Sequence, residues 1–142
     1  MEWWGGPTIV VHGQAFTVAE LPGFVAIEGS ERIGLLTYRV ERKWCEVMSL
    51  NSLRENIGIG TALLDAVQQA AQKAGCTSLT LITTNDNLHA LGFYQRRGWR
   101  IKAVFAGAVD RARETLKPQI SLIGENGIPI HDEIELEMPL DS

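Results

Sequence analysis

Gly58 and Gly60 stand two residues apart, where an apolar stretch at 44–50 gives way to an amphipathic one. Glycines at a helix start have a chemical use. The first amides of a helix lack an intrahelical acceptor, and the helix dipole places partial positive charge there. Without Cβ atoms the backbone approaches an anion closely. Ile57, Gly58, Ile59, Gly60 and Thr61 therefore read as a cradle whose amides would hold a pyrophosphate. A tight strand-to-helix turn that needs glycine for geometry alone carries the same residues.

Other reactive residue types are scattered. His12, His89 and His131 lie far apart, and Cys45 and Cys76 lack metal-ligand spacing. His131, Asp132 and Glu133 are consecutive, and three neighbouring residues do not converge on one ion without help, so no metal is expected. The two cysteines fall inside expected elements, which assigns them to core packing in a reduced, cytoplasmic protein.

Two motifs in order narrow the reading. ENIGIGTALL is followed by NLHALGFYQRRGW. Together they resemble the GNAT family of N-acetyltransferases, whose signature is Gln/Arg-x-x-Gly-x-Gly/Ala on a strand–turn–helix. A helix start containing Asn follows, then a Phe-Tyr pair before Gly-aromatic. Gly58 and Gly60 match the glycines, Asn87 the helix start, Phe93 and Tyr94 the aromatic pair, and Gly98-Trp99 the helix exit. The resemblance covers residues 33–104. Glu55 departs from it, standing where the family has Gln or Arg, with Arg54 beside it as compensation.

The resemblance implies an acetyl-CoA-dependent N-acetyltransferase acting on a primary amine of a small molecule or peptide, by direct attack in a ternary complex. Such a transfer needs a deprotonated amine, and an alkylammonium has a pKa near ~10.4. It also needs an oxyanion donor and a proton for the leaving thiolate. By resemblance, Tyr94 is the general acid and Glu46 the general base through water. Each residue has a plainer reading. Tyr94 packs the helix on the sheet, and Glu46 is a solvated strand carboxylate paired with Arg39 or Lys43. Backbone groups of Leu50 and Ser52 would meet pantetheine, and an amide near them the oxyanion. Asn87 would reach the pantetheine or phosphate arm, or cap its helix; the two roles compete for one side chain.

Two rivals stand beside this. A dinucleotide-binding unit would use the glycines with Asp86 as the ribose-binding acid, but Leu63 fills its third small position. A CoA-binding sensor or interaction module would keep the fold without the chemistry.

These residues need a strand, a turn and two helices to position them. The apolar face Ile59, Leu63, Leu64, Val67, Ala70, Ala71 and Ala74 has helical spacing, and Gly75 suits the left-handed exit. Alternation at 44–50 predicts a strand with Cys45, Val47 and Ser49 on one face and Glu46, Met48 and Leu50 on the other. Upstream, 8–11, 14–18, 23–28 and 33–40 read as strands. Downstream come a strand at 78–83, parallel to 44–50, a helix at 88–97, a strand at 99–109, a helical turn at 110–117 and a last strand at 133–138. The expected fold is α/β: one domain over 1–142, a mixed, mostly antiparallel twisted sheet with two main helices. The family's helices between its first two strands have no room here, so N-terminal helices are reduced or absent.

The chain's 142 residues suit one domain, and a net charge of −4 argues against a general nucleic-acid binder. No run is long and apolar enough to cross a membrane, and no signal peptide opens the chain. Trp3 and Trp4 read as packing on the domain or a partner. Segment 118–132 is irregular yet rich in Ile and Leu, too apolar for a solvated tail. It is expected to fold back as a wall of the acceptor site or to pack in a homodimer. Glu125, Asp132 and Glu133 would then favour cationic amines.

Overall fold

Strand-forming residues dominate the first half of the chain, and a computed structural model shows them paired as a meander. The structure describes residues 8–11, 14–17, 21–52 and 58–140. The elements in order are β1 (Thr8–Val11), β2 (Gln14–Thr17), β3 (Gly23–Glu28), β4 (Glu31–Glu41), β5 (Trp44–Ser52), α1 (Ile59–Lys73), β6 (Ser78–Thr84), α2 (Leu88–Arg96), β7 (Arg100–Phe105), α3 (Ala108–Thr115) and β8 (Glu133–Pro139). β1 and β2 form a small sheet of their own, and the other six strands form a mixed sheet in the order β3-β4-β5-β6-β8-β7. No helix precedes β3 among the described residues. Residues Trp3, Trp4 and His12 lie outside them.

The chain forms two compact units, residues 1–9, 17–80 and 139–142 in the first and 10–16 and 81–138 in the second, with one of the crossings inside β6, between Thr80 and Leu81. In the first, α1 lies on β3, β4 and β5 and buries Ile59, Leu63, Leu64, Val67 and Ala71. The helical spacing in the sequence predicts this face, except that Ala70 is only half-buried and Ala74 is exposed at the helix end. Gly75 takes φ 83° just beyond it, the left-handed exit that glycine permits. Gly34 on β4 gives the helix its seat: a Cβ there would come within 2.5 Å of Ile59 Cγ2 and 3.1 Å of Leu63 Cδ1. Gly34→Ala is therefore expected to destabilise the protein by about 1–3 kcal/mol, the usual cost of overpacking. Denaturant unfolding measures it, and an unchanged midpoint would mean that α1 can shift outward freely.

β5 departs from simple alternation. Thr37 pairs with Ser49 but Tyr38 pairs with Val47, so Met48 is the extra residue of a bulge. The bulge flips the faces that a period of two assigns. Leu50 joins Cys45 and Val47, because their partners Leu36, Tyr38 and Val40 alternate on one side of β4. Ser49 joins Glu46, because their partners Thr37 and Arg39 share the other side.

In the second unit, α2 packs against β7, and Tyr94, Trp99, Val109, Ala112 and Leu136 are buried. β7 ends at Phe105, earlier than the expected 109. Gly107, with φ 73°, turns the chain into α3, an eight-residue helix where the sequence suggests one short turn. Segment 118–132 is irregular, as expected. It carries one 3-10 turn, Glu125–Gly127, and an isolated bridge between Ile123 and Pro129.

Candidate active site

The expected site residues divide between the two units. Glu46, Leu50, Ser52, Gly58, Ile59, Gly60 and Thr61 belong to the first, and Asn87 and Tyr94 to the second. Ile57, with Arg54 and Glu55, lies outside the described residues.

In the first unit the bulge at Met48 gathers a polar strip on the face opposite α1. Thr37 Oγ1 and Ser49 Oγ are 2.6 Å apart. Two residues along, Arg39 donates from Nε to Glu46 Oε1 at 3.1 Å, and its Nη2 lies 3.0 Å from the same oxygen. Glu46 is 1% exposed, so the expected solvated carboxylate is a buried one, and its partner is Arg39. The guanidinium is itself fixed, with Nη1 2.6 Å from Glu41 Oε2 and its plane over the Trp44 ring at 5.1 Å. A carboxyl group taken out of water is costly to leave without such hydrogen bonds.

Leu50 and Ser52 pair with Leu36 and Gly34 at the far end of β5. The head of α1 follows. Gly58, the N-cap residue, sits at φ 82° and has no side chain to cap with, and the first turn of the helix contains no acid. A Cβ on Gly58 would meet no protein atom within 4 Å, so its left-handed backbone is what demands glycine there. Ile59 turns its side chain into the core, which leaves its amide as the group to offer. These features fit a diphosphate: a left-handed glycine entry, the positive end of a dipole and no carboxylate in the first turn.

In the second unit Asn87 and Tyr94 sit seven residues apart on α2, two turns along one face. Asn87 caps the helix, its Oδ1 accepting from Ala90 N at 3.1 Å. The two roles expected to compete are compatible, because the cap uses the amide oxygen while a ligand would use the NH₂. Tyr94 is 8% exposed, its ring meeting Phe93 edge-on at 5.3 Å and Trp99 at 5.5 Å. Burial pushes its phenol up to about 12, so the hydroxyl keeps its proton at neutral pH and can donate it.

Other residues have different duties. Asp86 accepts hydrogen bonds within its own unit, from Thr84 Oγ1 and Glu125 N. His131, Asp132 and Glu133 diverge. His131 Nδ1 lies 2.9 Å and 3.0 Å from the two oxygens of Asp110, and its hydrogen bond holds that carboxyl below the usual range. Asp132 instead accepts from Gly107 N at 2.9 Å, and Glu133 is buried. Among the described residues no group of three or more His, Cys, Asp or Glu could hold a metal ion. Cys45 and Cys76 are free and buried. Burial, with the charges of Cys76 and Glu46 adding to it, pushes the Cys45 thiol up to about 12, and burial raises Cys76 too.

The profile of the acetyltransferase (GNAT) family matches residues 4–99, two thirds of the chain. The chain belongs to the GNAT acetyltransferase family. It is 48% identical over 139 residues to protein YdhI of Bacillus subtilis (strain 168), an alignment covering 97% of this chain and 86% of that one. Its fold is similar to IAA acetyltransferase from Bacillus cereus, with a TM-score of 0.71 and 29% identity over 82% of this chain and 75% of the other. A GNAT family acetyltransferase from Elizabethkingia anophelis, solved with acetyl-CoA bound, gives 0.71 at 27% identity over 82% and 74%. Family membership supports acetyl-CoA-dependent acyl transfer, and with it a CoA-binding reading of the α1 head over the dinucleotide-binding one. No described helix is long and apolar enough to cross a membrane.

The sequence reading missed the Thr37–Ser49 hydroxyl pair, because a period of two puts Ser49 and Glu46 on opposite faces. The only available signal was four polar residues on two adjacent strands, Thr37 and Arg39 against Glu46 and Ser49.

Proposed function

We propose that this GNAT protein is an N-acetyltransferase that moves an acetyl group from acetyl-CoA to a primary amine of a small molecule or peptide, by direct attack in a ternary complex. The observation that carries the reading is the head of α1, where a left-handed glycine opens a helix whose first turn contains no acid. The amides of Gly58, Ile59, Gly60 and Thr61 would bind the diphosphate. Backbone groups of Leu50 and Ser52, and the NH₂ of Asn87, would hold the pantetheine arm. Acetyl-CoA, when bound, supplies the acetyl group as a thioester, an acyl donor that needs no enzyme nucleophile.

The protein's own residues manage the protons. An alkylammonium acceptor with a pKa near ~10.4 attacks only after losing a proton. Glu46, held by Arg39, takes that proton through water. Tyr94, a phenol at neutral pH, gives its own to the departing sulfur. Two protons leave nitrogen between ammonium and amide: the first goes through Glu46 to solvent, and the second, lost from the tetrahedral adduct, balances the one Tyr94 gives to sulfur, so both residues return to their starting state.

The test pairs binding with turnover. Acetyl-CoA is expected to raise the Tm where NAD does not, and a panel of primary amines is expected to release CoA above the hydrolysis background. A shift by NAD alone would overturn the reading. Acetyl-CoA binding with no release across a broad panel would favour a CoA-binding sensor of the same fold.

A further inference from the structure

Asp86 is a buried acid, 4% exposed, to which the proposed chemistry gives no part. Its surroundings explain why it is there. We propose that Asp86 is a positioning residue for the cofactor arm: through it, segment 118–132 locks the turn that carries Asn87 at the head of α2. The inference rests on the reading that Asn87 serves acetyl-CoA.

The turn is short and ends on the cap, with Asn87 N donating to Thr84 O at 3.1 Å. Asp86 Oδ2 accepts from Glu125 N at 2.9 Å and Oδ1 from Thr84 Oγ1, so one carboxylate ties the turn to itself and to the segment. Asn85 adds three bonds beside it. Its Oδ1 accepts from His131 N and Asp132 N, both at 3.0 Å, and its Nδ2 donates to Pro129 O at 2.9 Å.

The segment is held from its other side as well. The guanidinium of Arg113 on α3 donates to Ile120 O at 3.0 Å, Ser121 O at 2.8 Å and Ile130 O at 3.0 Å. Its charge is met by Asp110 Oδ1 at 3.0 Å. Arg113 thus clasps both limbs of the segment, and a planar fork of five donors suits three carbonyls as a lysine ammonium does not. These bonds tie both limbs of the segment to α3 and seat it against 85–86.

The seat is tight. A Cβ on Gly124 would collide with the Asp86 carboxylate and come within 2.7 Å of Ile130 Cγ1. Gly124 has an extended backbone, φ −104° and ψ −150°, so close approach and not its dihedrals demands glycine. A turn ordered in advance spares the cofactor the cost of ordering it on binding. Freeing one residue of the turn corresponds to roughly a tenfold loss of affinity.

Gly124→Ala tests this from the segment's side, leaving residues 84–87 and Tyr94 unaltered. Asp86→Ala tests it from the turn. Asp86→Asn is the conservative control, because the amide oxygen can accept from Glu125 N while the Thr84 hydroxyl rotates to accept from the NH₂. The full-length variants are compared by Tm, by calorimetric Kd for acetyl-CoA and by kcat at saturating acetyl-CoA. Gly124→Ala and Asp86→Ala are expected to weaken Kd about tenfold with kcat within about threefold, and Asp86→Asn to restore wild-type binding. Wild-type Kd in folded Gly124→Ala and Asp86→Ala would overturn the proposal. So would a raised KM for the acceptor alone. If the wild type itself does not bind acetyl-CoA, the proposed function and this inference fall together; wild-type binding that the variants share sinks the inference alone.

Discussion

Tyr94→Phe is expected to lower kcat by about 10²–10⁴-fold, the contribution of a positioned general acid, with the Kd for acetyl-CoA unchanged. The substitution removes one oxygen and keeps the ring that packs edge-on against Phe93 and Trp99. A fall in kcat therefore isolates the proton. Burial drives the phenol to about 12, so the wild-type rate has no alkaline limb from Tyr94 until well above neutral pH. Linkage gives a second readout. The folded protein holds this proton to higher pH than the unfolded chain, whose tyrosine titrates near ~10. The stability tied to Tyr94 is therefore complete below that value and is lost as pH climbs toward 12. The Phe variant should show a shallower alkaline loss of stability. A wild-type kcat in Tyr94→Phe would reduce the residue to packing.

Glu46→Gln is expected to lower kcat/KM by about 10²-fold or more, most strongly at low pH, where the amine is most protonated and most needs a base. Here stability and catalysis must be separated, because Glu46 is buried against Arg39. Removing Glu46 leaves Arg39 its contact with Glu41, whereas removing Arg39 takes the guanidinium from a buried carboxylate, and breaking a buried pair costs about 3–5 kcal/mol. A double-mutant cycle separates the two effects. Arg39→Gln on its own removes the Arg39–Glu46 pair but keeps the Glu46 carboxyl, and Arg39→Gln with Glu46→Gln removes both groups. If Glu46 is the base, the double variant regains stability in urea yet stays slow. Activity that returns together with stability would make the pair purely structural.

The residues that could be read from the sequence are those whose roles are local. Gly58 shows itself by its place between an apolar strand and an amphipathic helix, and its left-handed backbone follows from that junction. Asn87 and Tyr94 carry their spacing within one helix. What escaped depends on partners distant in sequence or on one inserted residue. Met48 is an ordinary apolar residue in a strand, and nothing in its type marks a bulge; yet that bulge decides which face holds Glu46 and Ser49. Arg113 binds three backbone carbonyls, which leave no trace in side-chain pattern. Asp86 resembled a ribose-binding acid because its position after a strand was visible, while Glu125, its partner 39 residues on, was not. The boundary of β7 was overrun because 106–109 is apolar enough to continue a strand, and only the left-handed Gly107 turns it aside.

The two cysteines have a bearing on a protein that would work beside a thioester. A thiolate, not a thiol, attacks an acyl carbon or a disulfide. With Cys45 pushed up to about 12, Cys76 raised as well, and both buried, the folded chain offers the acyl donor almost no rival sulfur nucleophile from this pair. Neither cysteine should acquire an acetyl group by side reaction or form a mixed disulfide with released CoA. A thiol-reactive dye added to native enzyme should therefore draw little colour from either one, and they become visible only when the chain unfolds.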